Sequence, residues 1–357
     1  MQEVRLSDSQ PHFACVRWFP WPSSPRCWLL WGPPWGPPTS TSTLVMIGDP
    51  PVVRTPDERF ATLPQLGYPW TPRYLQMKHQ GNQFLRVHYI DEGPRDASET
   101  LLLLHGTPAW SYLYRKTIPT LLAAGYRVVA IDHIGFGRSD KLTDPAAYTH
   151  ELHVATVVNT VRDLDLKGVT LVGHDLGGPT GLSALSRDSG RYRRVVLLNT
   201  WLPQGDMFSS LSSIKEHLPY LSFRGLTQVL GRNVPIETVF SVATQSSAAE
   251  LQGYVAPYPS SLYKAGPSRW PLLIPTSSSD PMGVENRRVA AFLEGWGGPA
   301  LVAYSDREVF TLPGRDLFRR LLPRACTATV NDAGHFLQED QGPAVAKLIV
   351  QFIHGQC

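Results

Sequence analysis

From residue 51 onward, short apolar runs and amphipathic stretches alternate along the chain. The runs LLLLH, RVVAID, VTLVG and RVVLLN are almost wholly apolar, as strands buried on both faces are. Strands are predicted at 74–79, 84–90, 100–105, 126–131, 168–173, 193–199, 300–305 and 326–331. Amphipathic stretches at 112–124, 148–164 and 340–353 predict helices between them. Strand–helix alternation of this kind points to a mostly parallel sheet with helices on both sides. Residues 201–275 break the rhythm, with helical pieces (FSSLSSIKEHL, PIETVFSVA) followed by GYVAPYPSSLYKAGPSRWP. They read as an excursion between two sheet strands, a lid over the strand ends where open α/β sheets bind ligands.

The first fifty residues differ from the rest. They hold five of the ten tryptophans and nine prolines, and WGPPWGPPTSTST cannot propagate a helix because proline removes donors and fixes φ. They read as a disordered extension, with Met46 as a possible alternative start. A transit peptide is the other reading, while CWLLWG is too short for a secretory apolar core. The domain expectation is therefore an extension over 1–50, core over 51–200, helical insert over 201–275 and core again over 276–357.

Composition excludes several classes. The 357 residues are 42% hydrophobic and 18% charged, with net charge +3 and no basic block that would track a phosphate backbone. No apolar run approaches the roughly 18 residues of a membrane span. Cys15, Cys27, Cys326 and Cys357 show no CxxC or metal-ligand spacing, so no disulfide framework is expected and a reducing, cytoplasmic setting fits. A mitochondrial location follows only if residues 1–50 act as a transit peptide. The expected partner is a small apolar organic substrate, with no nucleic acid and no membrane, and the chain is expected to be a monomer or weak dimer.

Three motifs carry candidate chemistry. Gly173-His174-Asp175-Leu176-Gly177 has the form G-x-nucleophile-x-G, a sharp strand-to-helix turn that exposes its central side chain. Serine usually stands there; here it is Asp175. An ionised carboxylate beside a helix N-terminus is already a nucleophile and needs no base. It suits displacement at an sp³ carbon, giving an alkyl ester. Alone, the motif also reads as a helix N-cap in a glycine-rich turn. The second motif, LLLLHGTPAW (101–110), ends a strand in a turn that frees backbone N–H groups. Those of Thr107 and Leu176 can form an oxyanion hole.

The third motif, NDAGHFLQED (331–340), offers His335 after the last strand, placed to activate water against the ester. Its orienting carboxylate is Asp306 or Glu308. Both lie just past a strand end, two residues apart, and alternation cannot separate them. No metal or cofactor is implied, since His105, His174 and His335 belong to separate turns. His174 reads as a packing residue beneath the elbow.

With these residues in hand, the chain from about Arg54 to Phe352 resembles the haloalkane dehalogenases of the α/β-hydrolase superfamily. The resemblance rests on HGTPAWSYLYRKTIPTLLAAGYRVVAIDHIGFGRSDK, LVGHDLGG, GYVAPYPSSLYKAGPSRWPLLIPTSSSDP and NDAGHFLQED. It implies an α/β-hydrolase fold: an eight-stranded, mostly parallel sheet flanked by helices, with a helical cap after strand 6. It implies Asp175 as nucleophile and His335 as base, and overlays Glu308 on the acid position. It also implies a substrate pocket, to which Trp110, Ile214, Tyr258 and Tyr263 are assigned.

Two departures from the family stand out. A tryptophan that follows the nucleophile and donates to the leaving halide is replaced by Leu176. The second halide donor, an asparagine of the HGxP turn or a cap tryptophan, is replaced by Thr107 and, on a loose alignment, Ile214. Trp110, Trp201 and Trp270 remain as substitutes. Two further readings follow. One is an epoxide hydrolase using cap tyrosines among Tyr220, Tyr254, Tyr258 and Tyr263. The other is a non-catalytic binding protein that kept the pocket.

Overall fold

A computed structural model describes residues 46–47 and 51–356. The expectations for the extension over 1–45 lie outside the described residues. Eight strands form one sheet: β1 (Arg73–Lys78), β2 (Phe84–Glu92), β3 (Thr100–Leu104), β4 (Arg127–Ile131), β5 (Val169–His174), β6 (Tyr192–Leu198), β7 (Ala300–Ser305) and β8 (Cys326–Val330). Their order is β8-β7-β6-β5-β3-β4-β2-β1. From β8 to β4 every pairing is parallel, while β2 runs antiparallel to β4 and β1 antiparallel to β2. A short antiparallel ribbon of Met46–Ile47, Val52–Val53 and Lys141–Leu142 lies apart from this sheet.

The apolar runs become the central strands for the expected reason. Every residue of β5 and of β7 is buried, and so are Leu101 to Leu104 of β3, because helices cover both faces of the sheet. Full burial of each leucine is worth about 1.5–3 kcal/mol. At the sheet edge β8 alternates half-buried and exposed positions before a buried Val330. Cys326 on that edge is disulfide-bonded, a departure from the sequence reading.

Helix boundaries differ from the periodicity where proline intervenes. The stretch 112–124 splits into a 3₁₀ turn (Ser111–Lys116) and a helix (Ile118–Ala123), because Pro119 is tolerated only in a first helical turn. Likewise 340–353 divides into Leu337–Asp340 and Gly342–Ile353, the second carrying Pro343 in its first turn. His150–Asp163 forms as predicted, capped by Thr149 Oγ1, which accepts from Leu152 N at 3.1 Å.

Between β6 and β7 the chain runs through Leu211–Glu216, Leu218–Leu230, Ile236–Ala243, Ala248–Val255 and Ala265–Arg269. The apolar pattern singled out Leu211–Glu216 and Ile236–Ala243 as helical but not Leu218–Leu230, Ala248–Val255 or Ala265–Arg269. This excursion is bolted to the rest of the chain. Trp110 Nε1 donates to Gly253 O at 3.1 Å, and Tyr254 Oη donates to Glu339 at 2.5 Å. Glu339 pairs in turn with Arg115 and with Lys116 Nζ. The Arg115 and Glu339 side chains are each 1% exposed. Removing one partner of such a pair strands the other charge in a low-dielectric interior. Glu339→Ala is expected to cost about 3–5 kcal/mol, read in urea as a lower midpoint with an unchanged slope.

Candidate active site

Four strands deliver the site at their carboxyl ends. Asp175 follows β5, the Thr107 turn follows β3, Glu308 follows β7 and His335 follows β8. Asp175 has φ 50°, in the left-handed region that a branched or bulky residue avoids. Backbone hydrogen bonds hold it there: its N–H donates to Asn199 O at 3.1 Å and its carbonyl accepts from Gly178 N at 3.1 Å. Thr200 Oγ1 also donates to that carbonyl, at 2.6 Å.

Close approach explains two of the glycines. A Cβ on Gly177 would stand 2.4 Å from Leu104 O, and one on Gly106 would stand 2.0 Å from Asp175 Oδ1. Any side chain at either position would push the HGTP turn off the elbow.

The Asp175 carboxylate is buried at this tip and surrounded by polar groups. Thr107 N donates to Asp175 Oδ1 at 2.8 Å, and the Leu176 N–H also stabilises the charge. On the other side His335 Nε2 lies 3.5 Å from Asp175 Oδ2. His335 Nδ1 donates to Glu308 Oε2 at 2.8 Å. Glu308 Oε1 accepts from the N–H groups of Phe310 (2.5 Å) and Thr311 (2.9 Å). Asp306 is turned elsewhere: its carboxylate accepts from Asp332 N and Ala333 N, both at 3.1 Å. The two acids separate because the chain leaves extended geometry after Ser305 and turns.

Burial dominates the electrostatics of all three groups, and the charges reverse its direction. Burial alone would lower the His335 pKa, but the Glu308 charge and the contact with Asp175 push it up to about 10. Burial would raise Asp175, yet the hydrogen bond and charge of His335 hold it below the usual carboxylate range. Glu308 is likewise held low against burial, chiefly by the His335 charge. The two carboxylates thus favour a proton on the imidazole between them, and the imidazole favours their ionised forms. The arrangement is a carboxylate kept ionised beside a base whose orientation a second carboxylate fixes.

A buried frame that sequence reasoning did not assign to the site supports the imidazole. Asn199 Nδ2 donates to His335 O (2.9 Å), Gly334 O (3.1 Å) and Ser305 Oγ (2.9 Å). His174 Nε2 donates to His335 O at 2.9 Å, so the histidine beneath the elbow also holds the loop. The available signal was a polar residue, Asn199, closing the otherwise apolar run RVVLLN. Phe310 and Phe336 meet the His335 ring edge-on, with centroids 5.3 and 4.9 Å away.

The candidate pocket residues divide. Leu176, Trp110, Tyr258 and Tyr263 belong to one buried apolar cluster with Trp201, Tyr220 and Trp270. Ile214 is half-buried on Leu211–Glu216 and is outside that cluster. Trp110 has committed its indole N–H to Gly253, whereas those of Trp201 and Trp270 are buried without a partner, as is Thr107 Oγ1. Among the tyrosines, Tyr254 donates to Glu339 and Tyr220 to Pro271 O. Burial raises the Tyr258 pKa, with Asp132 rather than Asp175 as the nearby charge. Burial also raises that of Tyr220, and there Asp175 contributes. Among the described residues no group of His, Cys, Asp and Glu is placed to hold a metal ion, and no helix is long and apolar enough to cross a membrane.

Comparison with known proteins bears on the fold and the family. Residues 99–341 match the alpha/beta hydrolase fold family. A haloalkane dehalogenase of Psychrobacter cryohalolentis is 41% identical over 311 residues, spanning 85% of this chain and 98% of that one. One from Mycobacterium marinum is 39% identical over 306 residues, spanning 84% and 99%. The tetrameric structure of haloalkane dehalogenase DpaA from Paraglaciecola agarilytica NO2 superposes with a TM-score of 0.75 at 32% identity, covering 83% of this chain and 97% of DpaA. Likeness at that level, over nearly the whole length of the relatives, makes this chain an α/β-hydrolase enzyme of the haloalkane dehalogenase family.

Proposed function

We propose that the enzyme hydrolyses carbon–halogen bonds of small apolar substrates through an ester on Asp175. The observation that carries this reading is the bare, ionised Asp175 carboxylate facing an imidazole that is itself paired with Glu308. In the first step an Asp175 oxygen attacks the halogen-bearing carbon; the C–O bond forms as the carbon–halogen bond breaks and halide leaves with the electron pair. In the second step water attacks the ester carbonyl. The N–H groups of Thr107 and Leu176, which already meet the carboxylate, take up the negative charge that develops there. Alcohol departs and the carboxylate is regenerated.

The proton inventory supports His335 as the base of the second step. Esterification removes the Asp175 charge, one of the two that hold a proton on His335. The imidazole pKa therefore falls on alkylation, the ring releases its proton to solvent, and the neutral imidazole can then accept one from the attacking water. Glu308 keeps the ring oriented and stabilises the imidazolium as it re-forms.

Leu176 offers no side-chain donor to the departing halide, and Thr107 stands at the second donor position. Losing one well-placed donor costs on the order of 3 kcal/mol, or a hundredfold in rate. The substrates that tolerate this best carry the better leaving groups. The epoxide reading needs a tyrosine hydroxyl free to protonate an alkoxide. It draws no support from Tyr220 and Tyr254, whose hydroxyls are engaged. The binding-only reading leaves the ionised pair of Asp175 and His335 without a purpose. The oligomeric expectation, monomer or weak dimer, differs from the tetramer named for the Paraglaciecola relative, and sedimentation velocity separates the two.

With 1-bromobutane, His335→Phe is expected to accumulate an alkyl adduct on the peptide carrying Asp175, and Asp175→Asn to show none. An unmodified peptide in well-folded His335→Phe protein would sink the reading, and epoxide opening without halide release would replace it with the alternative. Turnover of 1-chlorobutane should run about a hundredfold or more below that of 1-bromobutane, measured as halide release. Glu308→Gln is expected to lower kcat by about 10²–10⁴-fold while leaving the first adduct-forming step nearly unchanged in single-turnover mixing.

Stability carries the same charges. Because the folded His335 pKa is raised, its protonation stabilises the native state fully below the unfolded value of 6.5, and that stability is lost as pH rises through about 10. Urea titrations between pH 6.5 and 10 should show this decline in the parent chain and a flatter profile in His335→Gln.

A further inference from the structure

A cavity of about 640 Å³ lies outside the site described above, and neither Asp175, Glu308 nor His335 lines it. It is far larger than the roughly 30 Å³ occupied by a water molecule and falls within the usual range of small-molecule sites. Two long helices begin at its wall. Thr149 and His150 open the helix His150–Asp163, and Asp280 and Pro281 open the helix Pro281–Glu294. Each helix start presents the positive end of a dipole, although Thr149 Oγ1 already caps the first helix and Pro281 has no N–H to offer.

The charges along the wall are unevenly committed. Three carboxylates line the cavity, and each is already held. Arg187 binds Glu151 at 2.7 Å and Glu285 at 3.0 Å, and Arg288 binds Glu285 at 2.7 Å. Asp280 Oδ2 accepts from Thr276 N at 2.7 Å and Ser277 N at 3.0 Å, with the Arg224 charge nearby.

Two guanidinium groups are left with donors to spare. Arg224 gives Nη1 to Pro271 O at 3.2 Å. Arg269 Nε is buried with no partner, and no ion pair among the described residues involves that side chain. Both side chains are half-buried, and the enclosed Arg269 Nε is a donor whose hydrogen bond is unmet, a cost that an acceptor reaching it removes.

An independent observation comes from His150. The residue is 7% exposed and lines the cavity, and its Nδ1 has no partner while Nε2 meets Ser183 Oγ at 3.3 Å. Burial lowers its pKa to about 4, so near neutral pH the ring offers a hydrogen bond without adding charge. The rest of the lining includes Leu272, Leu273 and Met282, which suit hydrocarbon.

We propose that this cavity is a second ligand site, binding a small organic anion: a carboxylate on an apolar body of a few carbons. The carboxylate meets Arg224, Arg269 and the uncommitted His150 nitrogen at the helix starts, and the hydrocarbon lies against Leu272, Leu273 and Met282. The site is separate from the hydrolytic one and does not depend on what that site hydrolyses.

Calorimetric titration of the full chain with sodium hexanoate tests it, with hexan-1-ol and inorganic phosphate as comparison probes. Hexanoate is expected to bind saturably at one site, at least about tenfold weaker in Arg269→Met and in Arg224→Met. Arg288→Met and Asp175→Asn should bind as the parent does. Hexan-1-ol should not compete. Circular dichroism and thermal unfolding establish that each variant is folded, and Arg269→Lys should recover part of the affinity lost in Arg269→Met. No saturable heat with the parent chain, or unchanged affinity in folded Arg269→Met and Arg224→Met, would overturn the proposal. Phosphate binding as tightly as hexanoate would overturn its assignment to carboxylates with an apolar body.

Discussion

Everything at the carboxyl end of the sheet depends on one backbone constraint: a non-glycine residue held at positive φ at the tip of β5. Asp175 stays there because hydrogen bonds from both sides fix its peptide groups. The turn can be that tight because Gly106 and Gly177 leave no side chain between the elbow and the end of β3. Without that approach the Thr107 N–H would not reach the carboxylate, and the acid would be an ordinary helix cap. Strain of this kind costs about 1–3 kcal/mol and persists only when its surroundings over-determine it. Here the surroundings are the buried central strands.

The imidazole is placed by a different means. It sits on a loop after the edge strand β8, where the sheet itself gives little support. Asn199 and His174 reach across from β6 and β5 and hold the carbonyl of His335, and Glu308 holds the ring. Just beyond that loop, in the helix Leu337–Asp340, Glu339 ties to Arg115, Lys116 and Tyr254. The segment carrying His335 is therefore fixed both to the sheet and to the helices between β6 and β7.

The charge arrangement gives the chemistry its order. On the proposed mechanism the imidazole held between two carboxylates becomes a base when the Asp175 charge is consumed by esterification and the ring gives its proton to solvent. The back cavity follows other rules. Its carboxylates are neutralised in place, and the unpartnered polar atoms beside it are Arg269 Nε and His150 Nδ1.

The sequence determined the sheet. Eight apolar or alternating runs became eight strands within a residue or two at most ends, because burial on two faces demands continuous hydrophobicity and no other element satisfies it. It also determined the residue types at the elbow, since only glycine permits the approach and an aspartate there has few other uses. Helix boundaries were less legible where Pro119 and Pro343 cut an otherwise continuous amphipathic pattern. What only the tertiary structure decided were relations between residues far apart in the chain. Which of Asp306 and Glu308 faces His335 depends on how the chain turns after Ser305. That Asn199 and His174 carry the histidine loop depends on strand order. Which indole N–H groups are spent depends on where the helices after β6 dock. Each is a matter of direction and distance in three dimensions, and a linear pattern of polar and apolar positions does not encode those.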